Sequence, residues 1–257
     1  MPRAIWKGSI SFGLVNIPVK VYAATKDQAI HFKTLCGECH TPLRYLRWCP
    51  NCRKEVPWDK IEHGYELTKG KFVVLKKKEL EGLQLKSART IDIRRFVDGA
   101  AVDSLYFNRH YYLIPMEGGE KAYSLLREVL ALSNKIGIGK IVMRGKEHIV
   151  GIRAYRNGLL MSTLFYAQEI VPMSSISELG DLEKAGKEEL ELANVLVERL
   201  SGEFDPGEFK DRYREAVVEV IKQKARGVEP ELGKVPEVEK TKDLMKALKA
   251  SIQAVRK

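Results

Sequence analysis

The sequence predicts an α+β chain that is mainly β, with its helices gathered toward the C-terminal end. Three observations predict it. Apolar residues alternate with period two over most of the first 166 residues, interrupted by one helical stretch after Gly118-Gly119. Four cysteines in two Cys-x-x-Cys pairs mark a small module set into that β pattern. In the last quarter, apolar residues recur at three and four positions instead.

The first strands come at the start. Ile10, Phe12 and Leu14 form one alternating set, then the parity flips to Val15, Ile17, Val19 and Val21. A flip of period-two parity is the mark of a bulge, or of a strand passing between layers. Pro18 inside the run points to an edge position, because proline cannot donate to a ladder. Residues 35–65 lack periodicity and carry Pro42, Pro50 and Pro57, as an inserted module would. The β pattern resumes at Lys71 with Phe72 and Val74, then Ile91 and Ile93, then Leu105 to Leu113.

Ala122, Leu125, Leu126, Val129 and Leu130 predict a helix, and Gly137-Ile138-Gly139 is its expected end. Runs at 148–155 and 159–166 flank Arg156-Asn157-Gly158, where Asn-Gly is the strongest short hairpin signal. Leu190, Ala193, Val197 and Leu200 predict one helix face, stopped near Gly202. Asp205-Pro206-Gly207-Glu208 reads as the start of a second helix running to Lys224, with Phe209, Tyr213 and Val220 packed on the core. A short basic helix is expected from Lys240, using Leu244, Ala247, Leu248 and Ile252.

The formal charge of +10 favours a polyanionic partner, nucleic acid or an acidic membrane. The charge is also sorted along the chain. Residues 1–60 hold ten Lys or Arg against four Asp or Glu, whereas 178–208 hold ten acidic residues against three basic. The last 24 residues return to seven basic against three acidic, so an oriented electrostatic surface is expected. No run of about 18 apolar residues exists, and the start carries no apolar signal segment, so a cytoplasmic protein without a membrane partner is expected.

Cys36 and Cys39, then Cys49 and Cys52, are two knuckles separated by nine residues. Such a set can give four thiolates to one tetrahedral zinc, with Gly37 expected in the tight turn. Free or redox-active thiols are the alternative. Four thiolates leave no open position for water, so one structural Zn2+ per chain is expected, not a catalytic one. Arg44, Arg47, Trp48 and Arg53 lie in or beside the module; they suit a phosphate backbone, or else Trp48 packs and the arginines are solvated. No phosphate loop, dinucleotide fingerprint, nucleophile elbow or His-Glu-x-x-His motif is present, and no catalytic residue is proposed. A zinc-dependent nuclease and a zinc-ribbon protein acting through protein partners stand as the competing functions.

The stretch Arg3-Ala4-Ile5-Trp6-Lys7-Gly8-Ser9-Ile10-Ser11-Phe12-Gly13-Leu14-Val15-Asn16-Ile17-Pro18-Val19-Lys20-Val21-Tyr22 resembles the opening of the prokaryotic Ku proteins. Gly64-Tyr65-Glu66, Ile91-Asp92-Ile93, His110-Tyr111-Tyr112-Leu113, Arg153, Tyr155, Gly158-Leu159 and Phe209-Lys210-Asp211-Arg212-Tyr213 agree in order. The resemblance covers about residues 3–225. It implies a Ku-type β-barrel core with a DNA-encircling arm over residues 1–200, holding the 35–65 module, and a helical region with a basic tail over 201–257. It further implies a homodimeric ring that threads onto ends of double-stranded DNA, associates with the nucleoid, and recruits ligase D for non-homologous end joining. Lys7, Lys33, Arg44, Arg47, Lys69, Arg153 and Arg156 are the expected DNA contacts. One departure concerns the metal: many bacterial members of that family lack all four cysteines, so zinc rests here on spacing alone.

Overall fold

The parity flip near Leu14 is a chain reversal. Strand β1, Trp6–Phe12, and β2, Val15–Ala23, are antiparallel partners with Phe12 opposite Val15, which leaves only Gly13 and Leu14 to turn. Gly13 has φ +58°, as the first position of a type II′ turn requires. The expectation of a bulge or a change of layer is thereby corrected: a two-residue turn reverses direction and keeps both apolar sets on one side.

The structure is a computed structural model that describes residues 3–76, 78–79, 89–180, 183–230 and 244–254. It divides into two units, one of residues 1–28 with 32–171, the other of 29–31 with 172–257.

The first unit is built on a closed barrel of seven strands. Beyond β1 and β2, two small hairpins come first: β3, Trp48–Cys49, with β4, Lys54–Glu55, and β5, His63–Thr68, with β6, Lys71–Leu75. The barrel resumes with β7, Thr90–Asp98, and β8, Phe107–Pro115. Helix α1, Glu120–Ser133, leads into β9, Lys135–Met143, β10, Lys146–Tyr155, and β11, Gly158–Leu164. Around the barrel the order is β1-β2-β8-β11-β10-β9-β7, and β7 closes it by pairing in parallel with β1. Pro18 is therefore not on an edge strand: β2 lies between β1 and β8, and its ladder to β8 begins one residue later, at Val19.

Period-two burial places Ile10, Ile17, Val19, Val21, Ile91, Leu113, Ile141, Val150, Ile152 and Met161 fully inside. Helix α1 adds Tyr123, Leu126 and Leu130 to this core. The helix ends at Asn134 in the left-handed conformation, φ +50°, three residues before the expected glycines. Gly137 and Gly139 belong to β9 instead. A Cβ on Gly139 would stand 2.3 Å from the Asp92 carbonyl oxygen, so glycine is needed where β7 bulges between Ile93 and Arg95.

The hairpin between β10 and β11 turns on Arg156 and Asn157, one residue earlier than the Asn-Gly signal implied. Gly158 serves another purpose. Its missing side chain admits the Tyr123 hydroxyl, which would lie 3.2 Å from a Cβ there.

The second unit holds α2, Lys187–Leu200, α3, Arg212–Ala225, and α4, Leu244–Ala254. The half-buried stripe of α2 is Leu192, Ala193 and Leu196, whereas Leu190, Val197 and Leu200 are exposed. The expected face is corrected by about one position, because α4 packs on this side: Arg199 Nη1 donates to the Ile252 carbonyl at 2.7 Å. Asp205-Pro206-Gly207-Glu208 forms a single 3-10 turn, and α3 starts at Arg212 with Asp211 as its cap, accepting from the Arg214 amide. Phe209 and Tyr213 are 74% and 78% exposed, so neither packs on a core as expected. The expected start of the last helix, residues 240–243, lies outside the described residues. No helix among the described residues is long and apolar enough to cross a membrane.

Candidate nucleic-acid interface

Inside and outside of the barrel are set by strand parity, and parity gathers three of the predicted cations on one outer face. On β1 and β2 the buried set leaves Lys7 and Lys20 outward, and these two are direct cross-strand partners. One row further, Tyr22 pairs with Tyr112, Tyr112 with Leu160, and Leu160 with Arg153. That row crosses β2, β8, β11 and β10 in succession. From β1 to β10 there are four strand steps, an arc of ~19 Å at about 4.8 Å per step. The major and minor grooves of B-DNA together measure about 18 Å, so the band matches the scale of a duplex face.

The β10 end of the band is the most ordered. Tyr112 and Tyr155 stack with ring centroids 6.4 Å apart. The Arg153 guanidinium lies 5.3 Å from the Tyr155 ring centroid and that of Arg156 5.5 Å. Arginine held against an aromatic face keeps its charge while losing side-chain freedom before any ligand arrives. Arg156 opens its turn with φ +50°, a conformation costing a residue with a Cβ about 1–2 kcal/mol. Glycine or asparagine would sit there without that cost, so arginine holds this position against a local backbone penalty.

The remaining predicted contacts lie outside the barrel, between β2 and β7. Lys33 is exposed in a segment without regular structure. Arg47 has its guanidinium 3.5 Å from the Trp58 ring centroid, and Arg44 is exposed nearby in sequence. Lys69 sits in the turn of the β5–β6 hairpin. Lys20, Tyr112 and Tyr155 were not predicted. The readable signal for Lys20 was its parity: it alternates with Val19 and Val21, which face inward, and stands beside the motif residue Lys7 only after the hairpin folds.

The cysteine module consists of two matching turns. The bridge between Leu35 and Pro42 brackets Cys36 and Cys39; the β3–β4 ladder brackets Cys49 and Cys52. In both, the residue after the second cysteine is left-handed, His40 at φ +54° and Arg53 at φ +48°. Gly37, the expected turn residue, has no such conformation. The His40 amide donates to the Cys36 carbonyl at 2.9 Å, and the Cys52 amide to Cys49 Sγ at 3.5 Å. The Thr41 hydroxyl, 3.4 Å from Cys39 Sγ, together with its amide lowers the Cys39 thiol to about 7. The Cys52 amide lowers Cys49, and the hydrogen bond shared with Cys49 raises Cys52. Each pair thus has its two sulfurs together. Among the described residues, no three Cys, His, Asp or Glu side chains form one metal-sized group.

A closed β-barrel whose outer band is cationic and aromatic, with a two-knuckle arm inserted between its second and third barrel strands, defines the class of barrel protein to which this chain belongs. Residues 11–192 match the family model described as the Ku70/Ku80 beta-barrel domain. The chain belongs to the Ku family. It is 42% identical to the non-homologous end joining protein Ku of Archaeoglobus fulgidus, covering 99% of this chain and 100% of that one. It is 41% identical to the Heliobacterium modesticaldum protein of the same name, over 99% of this chain and 92% of the relative. The Symbiobacterium thermophilum protein of that name is 41% identical over 98% of this chain, which spans 63% of the relative's length.

Proposed function

We propose that two copies of this chain form a ring that threads onto a free end of double-stranded DNA, without sequence preference and without catalysing a reaction, and that recruits ligase D for non-homologous end joining. The outward band of Lys7, Lys20, Arg153 and Arg156 carries this reading. Sequence-blind binding relies mainly on cations contacting phosphates, and the exposed lysines and arginines of the band support that reading. Family membership supports the end-joining role.

The homodimer is supported by the β5–β6 hairpin. Tyr65, Leu67, Phe72, Val73 and Val74 are each 44–65% exposed, and they occupy both faces of an isolated ribbon. A two-stranded ribbon cannot cover its own faces, and an interleaved second copy around a two-fold axis does. Lys33, Arg44, Arg47 and Lys69 ride on this arm and meet the duplex on the side away from the barrel.

The arm carries one structural Zn2+ per chain, held by Cys36, Cys39, Cys49 and Cys52. The residues fit the ion: each knuckle already pairs its sulfurs and repeats the same left-handed residue after its second cysteine. The metal joins the two pairs and braces a segment whose Tyr45, Leu46, Trp48 and Trp58 are 60–82% exposed.

Native mass spectrometry with a short blunt duplex tests the whole reading. The expected species is two chains, two zinc ions and one duplex. A one-to-one complex, or many chains coating one duplex, contradicts the ring. Association with purified ligase D, measured with and without the duplex, tests the last step.

A further inference from the structure

The barrel end opposite the Arg156 turn opens into a cleft of about 790 Å³ that the duplex band does not use. It is cationic. Arg109, Arg144 and Lys146 line it together with His110 and His148, against Asp27 as the single carboxylate of its wall. Among the described residues, none of the three strong cations is in a salt bridge.

Three features make this a built recess. Its floor is apolar and fixed: Trp6 and Tyr111 pack on the barrel core, and Trp6 Nε1 donates to the Val142 carbonyl at 3.1 Å. His110 is pinned by its Nδ1, 2.8 Å from Oγ of the buried Ser162, which leaves Nε2 as the nitrogen available to a ligand. Arg144 is held at φ +53° in a two-residue turn with Gly145 at +77°, where asparagine or glycine would be unstrained. A cation kept at such a position has a use for its charge.

We propose that this cleft binds a phosphate monoester. A terminal phosphate carries about two charges near neutral pH, against one for each internal diester, and the three cations lining the cleft suit the dianion. A recess takes one terminal group, where an open band takes a continuous backbone. The aromatic floor accepts the sugar or base that follows. The volume falls in the usual range of about 300–1,000 Å³ for small-ligand sites. Both a 5′-phosphorylated DNA end and a free mononucleotide carry this group. The inference stands apart from the ring reading, because the free-ligand arm involves no DNA.

The test is calorimetric titration of the intact protein with AMP, beside binding of one duplex prepared with 5′-phosphate or 5′-hydroxyl ends. Wild type is compared with an Arg144→Asn/Lys146→Gln variant, whose new residues suit the turn. Protection of Lys146 from acylation by AMP in the wild type reads the same contact without any substitution. The cleft predicts AMP binding or a preference for the phosphorylated end, weakened about tenfold or more in the variant. AMP binding alone identifies the free nucleotide as the ligand; end preference alone identifies the broken DNA. Failure of both, Lys146 unprotected by a bound AMP, or unchanged affinity in a folded variant overturns the proposal. The 5′-hydroxyl duplex tests the band separately, since it binds the outer face whether or not the cleft is intact.

Discussion

Lys7 on β1 and Lys20 on β2 stand directly opposite each other across the ladder, both on the outer surface of the barrel. Like charges so placed repel, and the proposed duplex contact would offset that repulsion. Replacing both by alanine is expected to stabilise the free protein by up to about 1 kcal/mol. The same change removes four lysines from a ring of two chains, so it should flatten the dependence of log affinity on log salt by about 3.6 units, roughly 0.9 per phosphate contact. Thermal unfolding and a salt titration of duplex binding check the two halves; an unchanged slope removes these lysines from the interface.

Arg156 makes the same trade at the other end of the band. Arg156→Gly relieves the left-handed turn and is expected to raise stability by roughly 1 kcal/mol, while each chain of the ring loses a charge-assisted contact with the duplex of about 1.5–3 kcal/mol. A variant that binds as tightly as wild type shows that the side chain has no part in the contact.

Tyr123 ties α1 to the barrel. Its hydroxyl donates to the Leu113 carbonyl at 2.6 Å and accepts from the Leu159 amide at 2.8 Å. Tyr123→Phe leaves a buried amide without its partner, and a loss of about 1–3 kcal/mol is expected in denaturant unfolding. Burial pushes the phenol above its ordinary value of 10.0. The folded pKa being the higher one, this contribution is complete below about pH 10 and is lost as pH rises through the folded value. The phenylalanine variant should therefore show a shallower alkaline decline.

Removal of zinc should loosen the arm and spare the barrel. With a chelator, or with Cys49→Ser, limited proteolysis is expected to cut within residues 35–56, while the barrel's thermal transition moves by no more than a few degrees. The barrel core draws on no residue of the module, which is why the two should separate. Loss of the barrel transition on chelation contradicts this division.

The barrel strands were legible because their inward residues alternate; the closing of β7 onto β1 was not, since a parallel partner far in sequence leaves no local mark. The errors have physical causes of one kind. Glycines read as punctuation at 137, 139 and 158 make room for another group instead: the Asp92 carbonyl beside Gly139, the Tyr123 hydroxyl beside Gly158. The apolar stripe of α2 was misplaced because that helix offers two, and only its partner α4 decides between them. In the site, Lys7, Arg153 and Arg156 could be named from motif and parity, whereas Lys20 and the Tyr112–Tyr155 stack depend on which strands become neighbours. The cleft at the opposite end is assembled from six strands and their flanking segments, and no segment of the chain announces it.

Competition between linear and relaxed circular DNA of one sequence, for protein bound to a short blunt duplex, tests the central claim most directly. A ring that threads onto ends predicts that linear DNA releases the probe and circular DNA does not. Equal competition by both would make the cationic band a general DNA-binding surface and would contradict the ring.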